Sequence, residues 1–173
     1  MALETIQIQE KLTETFGSAV SQFNQEKDIF SFEVTAALNT SVILFLKNDP
    51  TLRFHFLTDL CAVHYPDDVI DRQFAIVYHL HNWYDNKRIR IKAYINGEKP
   101  EIKTISNIFL SSNWMERETY DFYGINFIGH PQLKRILNMD EMISFPMRKE
   151  FPMEDSGRTD KDDRFFGRTT DNY

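Results

Sequence analysis

The chain has one cysteine, Cys61, in 173 residues. A cubane cluster needs about four thiolates and a structural zinc about four Cys or His ligands, so no iron–sulfur cluster or structural zinc is expected here. Cys61 lies in the largely apolar stretch Leu57 to Val63, broken by Thr58 and Asp59, and reads as a buried structural thiol. Long apolar runs are also missing. The longest, Val42 to Leu46, falls far short of the roughly 20 residues a membrane helix needs. There is no basic excess either. A net charge of -6 argues against general nucleic-acid affinity, which rests on a concentrated basic face. No G-x-S-x-G, glycine-rich phosphate loop or H-E-x-x-H occurs, and no nucleophile stands at a recognisable spacing from a histidine. The start, Met-Ala-Leu-Glu-Thr, lacks the basic and apolar regions of a signal peptide, so a cytoplasmic location is expected. There is no internal repeat or low-complexity linker.

What is present is a globular composition, 42% hydrophobic and 14% aromatic, in a chain of single-domain size. The pattern predicts an α+β class, an antiparallel or mixed sheet with helices packed on one side. Ile8, Leu12 and Phe16 mark a first helix that stops at Gly17. Residues 29–35 alternate as a strand. Thr40 or Ser41 can cap a helix through Leu46 or Lys47. Residues 57–64, 73–83 and 88–95 give three more strands, the last two joined as a hairpin at Asp85-Asn86-Lys87. Ile89, Ile91, Ala93 and Ile95 alternate with Arg88, Arg90, Lys92 and Tyr94, giving the last strand one buried and one polar face.

The densest chemistry lies between Asn113 and Pro152. Asn113 can cap a helix beginning at Trp114, with Glu116 in the reciprocal capping position and Gly124 as a left-handed stop. On that helix Trp114, Arg117, Glu118 and Asp121 share one half, and Arg117 can reach Asp121 at i,i+4. After an extended Ile125 to Phe127, Gly129-His130-Pro131 predicts a second short helix through about Leu137, with Lys134 and Arg135 in its last turn. Phe145-Pro146 and Phe151-Pro152 hold their phenylalanines out of helix and leave 147–150 as an exposed strap carrying Arg148 and Lys149. Glu118, Asp121 and His130 form an alternative metal-ligand or acid/base set, which would point to a small soluble carboxylate-dependent hydrolase. His64, His79 and His81 read as structural, and His55 as a surface residue.

The order Glu116-Arg117-Glu118, Asp121-Phe122-Tyr123, His130 and Lys134-Arg135-Ile136-Leu137 resembles the signature of the thirty-kilodalton subunit of respiratory complex I. The segment from Phe145 to Pro152 is similar to the strap that follows it in that family. Weaker likeness runs through 59–65, 78–80 and 88–94. Gln132, Lys134, Met147 and Glu150 depart from the usual residues.

The resemblance implies a non-catalytic structural subunit of a proton-translocating NADH:quinone oxidoreductase. That subunit sits in the hydrophilic arm, on the cytoplasmic face of a bacterial inner membrane, and reaches the membrane only through partners. It implies contact with the quinone-site subunit and the iron–sulfur subunits. FMN and the iron–sulfur clusters are expected in those partners, and none in this chain. The expected partner-interface residues are Glu116, Arg117, Glu118, Asp121, His130, Lys134, Arg135, Arg148 and Lys149, with Phe165 and Phe166 anchoring a tail. Glu118, Asp121, Arg135 and Arg148 are expected to serve that interface rather than the fold. The division expected is a compact body (1–112), an interface-forming helix and strap (113–152) and an extended tail (153–173). The equivalent subunit of a related membrane-bound hydrogenase or donor-variant complex is the nearest alternative.

Overall fold

A computed structural model describes residues 4–26 and 29–151. Its centre is a five-stranded mixed sheet. Strands β2 (Ile29–Thr35) and β5 (Lys87–Ile95) run parallel in the middle of it. Strand β1 (Val20–Glu26) flanks β2, and β4 (Phe74–Asn82) and then β3 (Phe56–His64) flank β5, all antiparallel to their neighbours. Parallel neighbours require a long crossover, and here helix α2 (Asn39–Asn48) and the β3–β4 pair supply it. The β4–β5 turn is tight because Asn82 folds back on it. Its Oδ1 accepts the N–H groups of Tyr84 and Asp85, and Asn86 takes a φ of 50°.

The predicted strands from β2 to β5 hold to within a residue at each end. Strand β1 was not anticipated, for a visible reason. Its sequence is Val-Ser-Gln-Phe-Asn-Gln-Glu, and a bulge at Gln22, with a φ of 52°, breaks its alternation.

Helix α1 (Thr5–Phe16) buries Ile8 and Leu12, one turn apart, and ends at Gly17 with a φ of 54°. Helix α2 buries Val42, Ile43 and Leu46. The expected cap at Thr40 or Ser41 is not used. The helix begins at Asn39, whose buried amide donates to Tyr78 Oη at 3.1 Å and to the Lys103 carbonyl at 3.0 Å. These helices pack with Phe30, Phe32, Val34, Leu57, Leu60, Ile76, Tyr78, Leu80, Ile89 and Ile91, which all project from one face of the sheet. Replacing fully buried Leu46 by Ala would remove part of this core and cost about 2–5 kcal/mol. The opposite face carries the polar residues of β5, as its alternation predicts, with Arg72 lying over Tyr94 at one end of it.

A last layer lies along the β3 edge. Helix α3 (Ser112–Tyr123) packs against β3. It is bracketed by two short strands, β6 (Glu101–Lys103) and β7 (Asn126–Ile128), which pair in parallel. Residues 129–151 then return over the end of α3 without forming a helix or strand.

Candidate functional site

Helix α3 starts at Ser112, two residues before the expected Trp114, and no side chain caps it. Glu116 does something other than reciprocal capping. Fully buried, its carboxylate accepts the Thr104 hydroxyl and, at 2.8 Å, the Ile105 N–H, fastening the segment after β6 to the helix. Burial pushes the Glu116 carboxyl above its usual range, and these bonds only partly oppose that.

The other end of α3 explains most of the remaining signature. A helix leaves its last four carbonyls without intrahelical donors. Here each has one. Gly124, at a φ of 71°, turns its N–H onto the Tyr120 carbonyl at 2.8 Å. Arg135 Nη1 reaches the Asp121 carbonyl at 2.9 Å, Met147 N–H the Phe122 carbonyl at 3.2 Å, and Arg148 Nε the Tyr123 carbonyl at 2.7 Å. Two of these last three donors are guanidinium groups, which the negative end of the helix dipole favours. Gly124 is needed twice over, since a Cβ there would lie 2.5 Å from the Phe145 ring.

Asp121 is the hub of this clasp. Its Oδ1 accepts Arg135 Nη1 at 2.7 Å and the Asn138 amide at 3.0 Å. Its Oδ2 accepts the N–H groups of Ile136, Leu137 and Asn138 at 3.0, 2.8 and 3.0 Å. Burial alone would raise its pKa, but the donors outweigh it and hold the carboxyl well below the usual carboxylate range. Two of those N–H groups, of Ile136 and Leu137, would have closed the last turn of the helix predicted through about Leu137. Because they turn to Asp121 instead, that helix does not form.

Arg135 continues outward, donating Nη2 to the carbonyls of Met142 at 2.6 Å and Ser144 at 2.9 Å. Arg117 does not pair with Asp121 as its spacing suggested. It donates to the Lys134 and Arg135 carbonyls at 3.1 and 3.2 Å and lies over the Trp114 ring. Arg148 lies between the Phe74 and Phe145 rings. The Lys149 N–H donates at 3.0 Å to Nδ1 of His64, itself stacked on Phe74. The strap is thereby sewn to the end of β3. Burial lowers the His64 pKa, which suits a ring that must accept at Nδ1.

The expected interface set therefore divides. Glu116, Asp121 and Arg135 are turned into the domain and serve its own fold, contrary to the expectation for Asp121 and Arg135. Arg117 and Arg148 are mostly buried in the clasp. Glu118, Lys134 and Lys149 are exposed. Phe165, Phe166 and the tail assigned to 153–173 lie outside the described residues. Missing from the sequence reading were the large apolar groups that the clasp turns outward: Leu137, Met139, Ile143 and Met147, with Ile143 95% exposed. The signal was available, since these residues form no helical or strand period between Pro131 and Pro152.

The alternative metal or acid/base set does not assemble. His130 uses both ring nitrogens locally, one on the Asn113 carbonyl at 3.1 Å and one accepting the Gln132 N–H at 3.0 Å. The Asp121 oxygens are filled by the clasp. Among the described residues no cluster of three or more His, Cys, Asp or Glu could hold a metal ion.

Comparison with known proteins gives one consistent result. Residues 32–157 match the family described as respiratory-chain NADH dehydrogenase, 30 Kd subunit. An NADH-quinone oxidoreductase subunit of Rhizobium meliloti (strain 1021) is 40% identical over 140 residues, 80% of this chain and 75% of that one. Its namesake in Roseiflexus sp. (strain RS-1) is 33% identical over 168 residues, 96% of this chain and 95% of its own. Among solved structures, a trypsin-resistant fragment of Nqo5 superposes with a TM-score of 0.61 at 26% identity, covering 73% of this chain and 98% of the fragment. A chain of the archaeal membrane-bound sulfane sulfur reductase shares the fold, with a TM-score of 0.72 at 22% identity over 86% of this chain and 85% of that one. With the clasp built from the signature residues and the family match spanning most of the sequence, this chain belongs to the respiratory-chain NADH dehydrogenase 30 Kd subunit family.

Proposed function

We propose that this chain is a non-catalytic structural subunit of the hydrophilic arm of a proton-translocating NADH:quinone oxidoreductase. It holds its neighbours in register while FMN and iron–sulfur clusters in other chains carry electrons to quinone. The observation that carries this reading is the clasp. Its buried charges are spent internally, on helix carbonyls and backbone N–H groups, which supports a structural rather than a catalytic use of them. The clasp turns Leu137, Met139, Ile143 and Met147 outward, and such an apolar surface suits burial against another protein. The single cysteine supports leaving the clusters to partners.

Within this reading the strap, with exposed Trp114, Glu118, Lys134 and Lys149 around it, meets the quinone-site subunit, and the iron–sulfur subunits lie nearby. No helix among the described residues is long and apolar enough to cross a membrane. The same reading has the chain attached peripherally, through partners, to the cytoplasmic side of a bacterial inner membrane. The fold shared with a sulfane sulfur reductase chain favours one second reading, the equivalent subunit of a complex with a different electron donor.

Purification from native membranes through a tag on this chain tests the proposal. A co-purifying complex with NADH:quinone reductase activity, alongside an isolated chain free of stoichiometric iron and flavin, is the expected result. Recovery of the quinone-site subunit without an NADH-oxidising flavoprotein would select the second reading. Stoichiometric metal in the isolated chain would refute the structural role.

A further inference from the structure

We propose that the face of the five-stranded sheet opposite α1 and α2 docks an extended acidic segment of a neighbouring subunit. The inference rests on the complex-subunit reading but concerns a surface separate from the strap.

Strand pairing fixes what this face displays. Across its first row stand Phe56, His81 and Arg88; across the next, Asp59, His79, Arg90 and Ser31; across the third, Cys61, Val77, Lys92 and Glu33. Val77 and Ser31 are buried; the other side chains stay outside the hydrophobic core, which takes the alternate residues of the same strands. Nothing among the described residues requires the pattern for folding, since β5 already buries Ile89, Ile91 and Ala93 on its other side.

The face has a charge of its own. Arg88, Arg90 and Lys92 form a column down the central strand, in a chain whose net charge is -6. The two carboxylates on the face are engaged elsewhere. Glu33 binds Arg72 through two bonds of 3.0 and 3.1 Å, and Asp59 stands 3.7 Å from His79 Nδ1. Arg90 Nε donates to His79 Nε2 at 2.9 Å, so a neutral ring steers the guanidinium without cancelling it. Among the described residues no carboxylate stands within ion-pair distance of Arg88, Arg90 or Lys92.

At the head of the column lies an aromatic anchor. Trp83, 67% exposed, packs edge-on against Phe56 at 5.2 Å and tilts over His81 at 6.2 Å. Exposed Trp and Phe beside arginine are the residue types that dominate protein–protein contacts. The cations recur at alternate positions on one strand, roughly 6.8 Å apart, the same repeat as alternate side chains of an extended partner. A partner segment with carboxylates at alternate positions, and an apolar residue at its end over Trp83, meets both features. Nucleic acid would use the cations but not explain the anchor's geometry, and a second copy would bring the same cations face to face.

Photocrosslinking in the assembled membrane complex tests this. p-Benzoylphenylalanine replaces Trp83 in one variant and exposed Asp59 in another. The expected result is an adduct to one other subunit, mapped to a segment with Asp or Glu at alternate positions. Combining either probe with Arg88→Glu, Arg90→Glu and Lys92→Glu should cut the adduct by about tenfold, because like charges facing each other repel. An adduct to a second copy, to nucleic acid or to a segment without such carboxylates would overturn the proposal. So would no adduct in a complex that still contains this chain, or an adduct unchanged by charge reversal. Failure to recover the chain in any complex would overturn both this inference and the subunit reading, which separates the two failures.

Discussion

Arg135 grips Asp121 at two points, with one nitrogen 2.7 Å from the carboxylate and 2.9 Å from the carbonyl of the same residue. Asp121 is sealed from solvent and Arg135 nearly so, which puts the pair in the interior of the domain. Removing one member of a buried pair leaves the other uncompensated. Asp121→Ala should therefore destabilise the isolated chain by about 3–5 kcal/mol, read from urea unfolding. Arg135→Lys should fail to rescue, because an ammonium cannot span Asp121 and the Met142 and Ser144 carbonyls together.

Glu116 makes the opposite case. Its carboxyl is raised by burial, so ionising it opposes folding, and the protonated form is the better tolerated. Glu116→Gln keeps an acceptor for the Ile105 N–H and should change stability by less than about 1 kcal/mol at neutral pH. Glu116→Ala strands that donor and should cost about 1–3 kcal/mol. Equal losses from the two substitutions, in the same unfolding assay, would contradict this account.

Acid stability should be set by depressed carboxyls. Burial alone would raise Asp49, but bonds from Lys11, Thr51 and Leu52 hold it at about 2 against an ordinary 3.8. A carboxyl lowered on folding adds stability that is complete above its unfolded value and lost as pH falls through its folded value. The Asp49 contribution should fade from roughly pH 4 downward. Asp121 acts in the same direction, over a lower range. Urea midpoints measured against pH should show a shallower acid slope for Asp49→Asn than for the unaltered chain.

The strap has its own pH signature. His64 is lowered on folding, chiefly by burial, with nearby Glu150 opposing and Arg148 and Lys149 assisting. The stability it lends is present above the ordinary imidazole value of roughly 6.5 and is lost as pH falls. Protonating Nδ1 removes the acceptor for the Lys149 N–H. The amide nitrogen–proton NMR signal of Lys149 should move as pH drops below about 6.5, and His64→Phe should abolish that movement.

The sheet was readable because its central strands alternate cleanly. Ile89, Ile91, Ala93 and Ile95 could face only the core, and Asp85-Asn86 could only turn. The parallel pairing of β2 with β5 was not readable, since periodicity sets the face of a strand and not its neighbour. At the site, the residues were identified but their direction was not. A helical wheel placed Arg117 and Asp121 on one half of the helix, within reach of each other. The carboxylate instead took its cation from Arg135, fourteen positions away in sequence, and its other donors from the following loop. Local spacing rules weigh pairs of a few tenths of a kcal/mol. They are overridden where one carboxylate collects five donors in the interior.

Ile143→Asp tests the central claim most directly, because this side chain is 95% exposed and belongs to the apolar surface that the clasp turns outward. The account predicts a change within about 0.5 kcal/mol in urea unfolding of the isolated chain, together with loss of co-purification with the quinone-site subunit. Normal assembly and full NADH:quinone reductase activity in that variant would contradict it.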